Sequence, residues 1–180
     1  NYVHLSYFTI ASSLMYATNA SGVWATTALD AVACDYGTGI AVDDDGFVHI
    51  SYYDGSLDDL KYATNQSGAW AYTTVDETGD VGMRSSIDVD ENNKVFISYY
   101  DNTGKDLKYA TNVTGSFTTN TLDSTGMVGT YTSLALDSKH RAHIAYLDLS
   151  NGNLKYIYMA APSSPSLVIN EDTGYVASQD

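Results

Sequence analysis

The 180-residue sequence is poor in cysteine, and it has no long apolar run. Cys34 is its one cysteine, which excludes a disulfide bond within the chain. No run of about 18 apolar residues is present, so we predict no membrane-spanning helix. No apolar stripe at helical spacing persists for three turns, so no amphipathic helix is expected either. No basic, apolar leader opens the chain, and we expect any signal peptide to have been removed or left out.

Basic side chains are also scarce. Lys and Arg number 8 against 22 Asp and Glu, a formal net charge of -14. This balance argues against a nucleic-acid partner, whose phosphates require a basic surface, and against anionic membranes. It is compatible with the binding of cations or of neutral glycans, or with an acidic surface that serves solubility alone.

A repeated unit runs through the whole chain. The stretches "VHLSYFT", "VHISYYD", "VFISYYD" and "AHIAYLD" begin at Val3, Val48, Val95 and Ala142, at offsets of 45, 47 and 47. Further landmarks recur in the same register: Tyr16, Tyr62, Tyr109 and Tyr156; Trp24, Trp70 and Phe117; Asp30, Asp76 and Asp123; Asp43, Asp90 and Asp137. Repeats of this length are typical of β-propellers.

Each unit contains four short β-rich runs separated by turn residues, with only two prolines in the chain. We name these runs strands a, b, c and d, with a innermost and d outermost. Four strands in about 47 residues predict one antiparallel propeller blade. The sequence therefore predicts an all-β, four-bladed propeller that spans residues 1–180 as a single domain.

The two chain ends match one repeat when they are joined. The chain begins in strand b of its first blade, whereas residues 166–180 contain "SLVIN", a candidate strand d, and "TGYVAS", a candidate strand a. Closure of the first blade by this carboxy-terminal strand would remove an unpaired edge. Two alternatives stay open: the chain is part of a larger propeller, or the strand completes the blade of a second copy.

The "HISYYD…LKYATN…G.W" pattern resembles tandem repeats of secreted and surface proteins of bacteria and archaea. The resemblance covers the whole chain and implies an extracellular or cell-surface propeller, but no single activity. The strand order is similar to that of NHL-type repeats. A four-bladed ring is similar to haemopexin-like propellers in architecture alone.

Long, acidic loops after strands b and d favour ligand binding at that end of the blades. Asp54, Asp101 and Asp148 recur after strand b, where they could bind Ca²⁺ or sugar hydroxyls, or else cap turns. The further candidate contacts at this end are Tyr36, Arg84 and Tyr131.

A second candidate site lies at the end of strand a. Asp43, Asp90 and Asp137 recur there, with Ser178 in the fourth place. In a narrow central channel these carboxylates would repel one another unless a cation such as Ca²⁺ intervened. The alternative is that each aspartate caps its own a–b turn.

Three other repeated positions have structural explanations of their own. Asn19, Asn65 and Asn112 each begin an N-x-[ST] glycosylation sequon, although Asn followed by Ser-Gly or Thr-Gly also favours a hairpin turn. We expect Lys61, Lys108 and Lys155 to lie along a neighbouring blade, and His4, His49 and His143 to pack in strand b.

No catalytic motif is present. The two arginines, Arg84 and Arg141, are too few for a sialidase-type site, and no nucleophile elbow, zinc-protease motif or phosphate loop is found. The sequence favours a non-catalytic binding module for a glycan or a surface protein. The alternatives are a structural subunit of a surface layer or filament, joined by strand exchange, and a polysaccharide-active enzyme.

Overall fold

The computed structural model describes residues 2–32, 36–159 and 170–171. Within these residues the chain is all-β and forms four antiparallel sheets. Sheet one contains β1 (His4–Phe8), β2 (Leu14–Thr18) and β3 (Ala25–Asp30). Sheet two contains β4 (Thr38–Val42), β5 (Val48–Asp54), β6 (Asp59–Thr64) and β7 (Ala71–Asp76). No helix among the described residues is long or apolar enough to cross a membrane.

The last two sheets follow the same plan. Sheet three contains β8 (Val81–Val89), β9 (Val95–Asp101), β10 (Asp106–Thr111) and β11 (Thr118–Asp123). Sheet four contains β12 (Val128–Leu136), β13 (Ala142–Asp148), β14 (Asn153–Tyr158) and β15 (Asn170–Glu171). Strands adjacent in sequence are adjacent in each sheet, which confirms the order a, b, c and d; the described part of sheet one contains strands b, c and d. We call the sheets blades one to four.

Each blade packs face to face on the next, in a propeller-like arrangement. Strand a of blade three contacts the strands a of blades two and four, so these strands lie innermost. Three apolar clusters fill the successive interfaces between the blades. All seven residues of β5 and of β9 are buried, because each of these strands is covered on both faces. This explains why the strand-b runs carry so little charge.

A repeated polar contact ties each blade to the following one; we call it the inter-blade clasp. In the second clasp, Oδ2 of Asp76, at the end of strand d, accepts a hydrogen bond from the Tyr99 hydroxyl at 2.7 Å. The Lys108 ammonium lies 2.5 Å from the same oxygen. The other two clasps are Asp30 with Tyr52 and Lys61, and Asp123 with Tyr146 and Lys155. The prediction of structural lysines is thus confirmed.

The clasps shift the ionisation of their members. Burial alone would raise the pKa of Asp76, but hydrogen bonds from Lys108, Tyr99 and the Thr78 N–H outweigh it and hold the pKa below its usual range. The pKa of Asp123 is lowered in the same way, against burial, by Thr125, Tyr146 and Lys155. The carboxylates therefore remain charged, and each neutralises a buried lysine.

Ring closure within one chain stays a prediction. β15 pairs with β14 through Asn170 opposite Tyr156, at the position expected for strand d. The candidate strand a, residues 173–178, lies outside the described residues, as does Ser178. Among the described residues β1 pairs with β2 alone, and Leu5 and Tyr7 on its outer face remain 47% and 38% exposed. The described sheets thus form an open arc.

We predict that Lys108→Met lowers the free energy of unfolding by about 3 kcal/mol, because Asp76 is left as a buried charge without its cation. The side chain fits this position, since blade one carries Met15 there. Urea unfolding measures the loss. Lys139→Met, on an exposed turn, is the control and should change stability by less than about 0.5 kcal/mol. Equal effects of the two substitutions would contradict a stabilising clasp.

The clasps also predict that the free energy of unfolding decreases at both low and high pH. The carboxylates of Asp76 and Asp123 have lowered pKa values, so their contribution is present above about pH 4 and is lost as the pH falls further. The ammonium of Lys155 has a raised pKa: burial opposes this shift, but Asp123 outweighs it, so its contribution is lost above about pH 10.5. Urea midpoints across the pH range test both limits. In Asp123→Asn the acid-side loss should be smaller, and an unchanged loss would contradict the assignment.

Candidate functional site

The loops after strands b and d meet at one end of the blades, which we call the loop face. The Asn102 amide nitrogen donates to Oδ2 of Asp80 at 2.6 Å, and the Asp80 N–H donates to Thr103 Oγ1 at 2.8 Å. The Met127 N–H makes the matching bond to Ser150 Oγ, at 2.8 Å, one blade further on. The d–a loops that precede blades three and four are therefore each fastened to the b–c loop of the following blade, which preorganises this part of the face.

Two glycines set the path of the inner strands onto this face. Gly82 and Gly129 have φ values of +104° and +92°, and a Cβ on either would lie 2.6 or 2.5 Å from the Cα of Leu60 or Leu107 in the preceding blade. Only glycine permits both this conformation and so close an approach. The pairing of β8 with β9, and of β12 with β13, shifts register next to these glycines. This bulge lengthens both strands to nine residues and turns the next side chains outward.

The bulges bring three of the predicted contact residues together. The Arg84 guanidinium lies over the Tyr131 ring, with Cζ 4.1 Å from the ring centroid. The Arg84 N–H donates to the Tyr36 carbonyl at 3.2 Å, and the Tyr36 ring meets the Tyr53 ring edge-on at 5.6 Å. We call Tyr36, Arg84 and Tyr131 the aromatic patch. Tyr36 is 40% and Tyr131 61% exposed, so the patch is open to solvent.

The patch rests on a rigid floor. The Tyr53 hydroxyl donates to Oδ1 of Asp58 at 2.7 Å and to Oδ1 of Asp80 at 2.9 Å. Burial, reinforced by these two hydrogen bonds, raises the pKa of Tyr53 well above its usual value, so the hydroxyl stays protonated. Met83 and Tyr100 pack with Tyr53 in a buried cluster beneath the surface. The patch therefore has a fixed shape before any ligand arrives.

The backbone of the patch is strained. Arg84 and Tyr131 have φ values of +55° and +53°, in the left-handed region that disfavours bulky side chains. The equivalent residue of blade two is Gly37, with φ of +86° and no such penalty. Two large side chains thus stand where glycine would be more stable. Strain of this kind concentrates at functional sites.

A groove extends the patch toward blade one. It has a volume of about 490 Å³ and is lined by Ser6, Tyr7, Phe8, Thr9, Ile10, Gly37 and Thr38. Gly37 directly follows Tyr36, so the groove and the patch are continuous along the chain. The groove thus places aromatic and hydroxyl side chains beside the patch.

The three strand-b aspartates do not reach this surface. Asp54, Asp101 and Asp148 are buried, and each accepts a hydrogen bond from a backbone N–H of its own b–c loop, donated by Ser56, Gly104 and Asn151. Burial works to raise the pKa of Asp54, but hydrogen bonds from Lys61 and Ser56 outweigh it and lower the pKa. Their contacts are those of turn caps, and their proposed ligand role stays a prediction.

The strand-a aspartates lie at the opposite end of the blades. Oδ1 of Asp43 accepts hydrogen bonds from the N–H groups of Asp45 and Phe47, at 3.1 and 2.7 Å. Asp90 and Asp137 cap their a–b turns in the same way. Within the described part of the chain, no group of three or more His, Cys, Asp or Glu side chains is placed to hold a metal ion. These contacts follow the capping alternative, and the metal prediction remains untested.

The repeated histidines and sequon asparagines have structural contacts. Nδ1 of His49 and the Tyr62 hydroxyl lie 2.5 Å apart, and His4 with Tyr16 and His143 with Tyr156 repeat the pair. Burial lowers the pKa of His49, despite the neighbouring Asp43. Oδ1 of Asn19, Asn65 and Asn112 accepts the N–H of Val3, Val48 and Val95 respectively. The asparagines thus join the c–d turn to strand b, and their glycosylation stays a prediction.

The sequence analysis did not predict the residues that support the patch. Nothing in the sequence connects Tyr53, in strand b, with Asp58 and Asp80 in the acidic loops, although the structure joins them by hydrogen bonds. The signal that could have found the bulges is the dipeptide Val-Gly, present in both "VGMRSS" and "VGTYTS". A glycine at one fixed repeat position marks a close backbone approach or a bulge.

No family model and no curated protein matches the sequence. Among solved structures, the fold is similar to a mutant of the Aleuria aurantia lectin in complex with Fucα1-6GlcNAc, at 13% identity and a TM-score of 0.68, over 94% of this chain and 55% of that one. It is also similar to a mutant of AofleA from Arthrobotrys oligospora, at 12% identity and a TM-score of 0.65, over 94% of this chain and 52% of that one.

A third similar structure is the exo-β-1,3-galactanase of Phanerochaete chrysosporium with β-1,3-galactotriose, at 10% identity and a TM-score of 0.53, over 94% of this chain and 47% of that one. The chain thus spans about half the length of these structures. At such low identities the likeness shows the fold: an all-β chain of consecutive sheets of three or four strands in a propeller-like arrangement.

Proposed function

We propose that the chain is a non-catalytic carbohydrate-binding module, active outside the cell or at its surface, that holds a glycan on the aromatic patch and the adjoining groove. The observation that carries the proposal is the convergence of Tyr36, Arg84 and Tyr131 on one strained, exposed and preorganised surface. The Aleuria aurantia lectin adds support, since two of the similar structures are of this protein with fucose-containing ligands.

The chemistry of the patch suits a neutral sugar. Tyrosine rings offer flat apolar surfaces to the C–H faces of a pyranose, at low conformational cost. The Arg84 guanidinium forms no ion pair among the described residues, so its N–H groups are available to sugar oxygens. The nearby carboxylates of Asp58 and Asp80 accept hydrogen bonds from hydroxyl groups, whereas they repel anionic ligands.

We further propose Ca²⁺ as an optional cofactor that binds at the loop face. Burial, with Glu77 and Asp54 nearby, raises the pKa of Asp59, and burial with Asp101 nearby raises that of Asp106. A cation would relieve this repulsion between carboxylates. A titration after treatment with EDTA separates assisted from unassisted glycan binding.

We predict that Tyr131→Gly and Arg84→Gly each weaken glycan binding at least tenfold without loss of stability. Glycine removes the side chain and also relieves the left-handed strain, so the urea midpoint should stay unchanged or rise. A glycan array selects the ligand, and calorimetry measures binding. α-Methyl-L-fucoside and β-1,3-galactotriose are the first probes, because similar structures contain them.

The control for this experiment is Asn93→Gly. Asn93 has φ of +57° on an a–b turn at the opposite end of the blades, so it tests relief of strain away from the patch. It should keep full glycan binding. The proposal is wrong if no glycan binds the wild-type protein, or if all three variants bind equally well. Release of product from a polysaccharide would instead indicate an enzyme.

A second candidate function is a structural subunit of a surface layer or filament, joined by exchange of the carboxy-terminal strand. The observation that favours it is the inner edge of β1, which pairs with no strand in the described part of the chain. An open strand edge readily accepts a strand from another chain. A protein that lacks residues 166–180 should then fail to assemble. If the truncated chain is as oligomeric as the full chain, strand exchange is excluded.

A further inference from the structure

Blade one has an exposed apolar face. The corresponding faces of blades two, three and four each pack against the preceding blade. Val3, Leu5 and Tyr7 correspond to Val48, Ile50 and Tyr52 of blade two, which are completely buried against blade one. In blade one this face is open: Leu5 is 47% and Trp24 56% exposed. Scattered exposed apolar residues are ordinary, but a set repeating a buried interface indicates a missing partner.

The internal interfaces show what covers such a face. The Trp70 ring of blade two packs edge-on against Tyr16 of blade one, with centroids 5.2 Å apart. Phe117 of blade three packs in the same way against Tyr62 of blade two, at 5.3 Å. Trp24 is the equivalent aromatic of blade one, so the partner must offer a tyrosine in that position.

Blade four offers this tyrosine. Tyr156 is the equivalent of Tyr16 and Tyr62 in the repeat, and its ring lies against His143 as those of Tyr16 and Tyr62 lie against His4 and His49. Exposed Leu5 and Trp24 at one end of the arc, and half-buried Tyr156 at the other, thus correspond to the two halves of one interface that the molecule already builds between its own blades.

We propose that the exposed face of blade one docks blade four of a second copy of this chain, with Trp24 against the partner's Tyr156. The contact is heterologous, since different surfaces meet, so it continues head to tail until a ring of copies closes or a filament grows. It lacks one feature of the internal interfaces: Met15 replaces the clasp lysine in blade one. The intermolecular contact is therefore mainly apolar and weaker than the internal ones.

The predicted association has a distinctive salt dependence. Each copy carries a formal charge of -14, so copies repel one another at long range. Salt screens this repulsion but leaves the apolar contact intact. Sedimentation velocity at 0.15 and 1 M NaCl, over a wide concentration range, should show masses at multiples of 19.4 kDa, with stronger association at high salt.

Two variants test the surface itself. Trp24→Ser should weaken association at least tenfold while the urea midpoint stays near that of the wild type, because the side chain is exposed. Leu57→Ser removes an equally exposed apolar side chain from a b–c loop and should leave association unchanged. Equal association of Trp24→Ser and the wild type would overturn the proposal.

Fluorescence identifies the occupant of the face. Trp24 and Trp70 are the two tryptophans, and Trp70→Phe leaves Trp24 as the sole reporter, with Phe117 showing that phenylalanine suits this position. The Trp24 emission should shift to shorter wavelength as the mass increases. A monomer with shielded Trp24 at every concentration means that the chain's own fourth blade covers the face. A monomer with exposed Trp24 means that no copy docks there, and either result overturns the proposal.

Discussion

One carboxylate oxygen, on a side chain that is buried in two of the three clasps, holds each blade to the next. It accepts a hydrogen bond from a tyrosine hydroxyl on strand b and contacts a lysine ammonium on strand c, both in the following blade. A single atom therefore connects three strands in two sheets. Apolar side chains interdigitate across each interface but are non-directional, whereas a charge-assisted hydrogen bond also fixes the direction of approach of its partners. We infer that the clasp helps to set the register between blades, while the apolar clusters on either side of it supply the bulk of the stabilisation.

The binding surface depends on that register. Gly82 and Gly129 approach the backbone of the preceding blade so closely that a small displacement would separate Arg84 from the Tyr36 carbonyl. The strain at Arg84 and Tyr131 persists because the surrounding bonds over-determine the backbone. Rigid blades thus present a preformed site, which lowers the entropic cost of holding a flexible glycan. The same repeat interface, left open on blade one, provides the surface for assembly.

Repetition made most of the fold predictable, since period, strand order and the missing strand a follow from aligned residues. The site was predictable in part. Position alone placed Tyr36, Arg84 and Tyr131 on the loop face, but their mutual contact arises from bulges that a period-2 pattern does not reveal. Asp54 and Asp43 show the limit: an aspartate at a strand end has the same sequence signature whether it binds a ligand or caps a turn, and only its contacts distinguish the two.

A double-mutant cycle between Asp76 and Tyr99 tests the central claim most directly, because the two residues meet only through the clasp across the interface of blades two and three. Asp76→Asn, Tyr99→Phe and the double variant are compared by urea unfolding. We predict that the two substitutions are non-additive, with a coupling of about 1–2 kcal/mol. Additive losses, with no coupling, would show that the blades are held in register by apolar packing alone and would contradict a stabilising clasp.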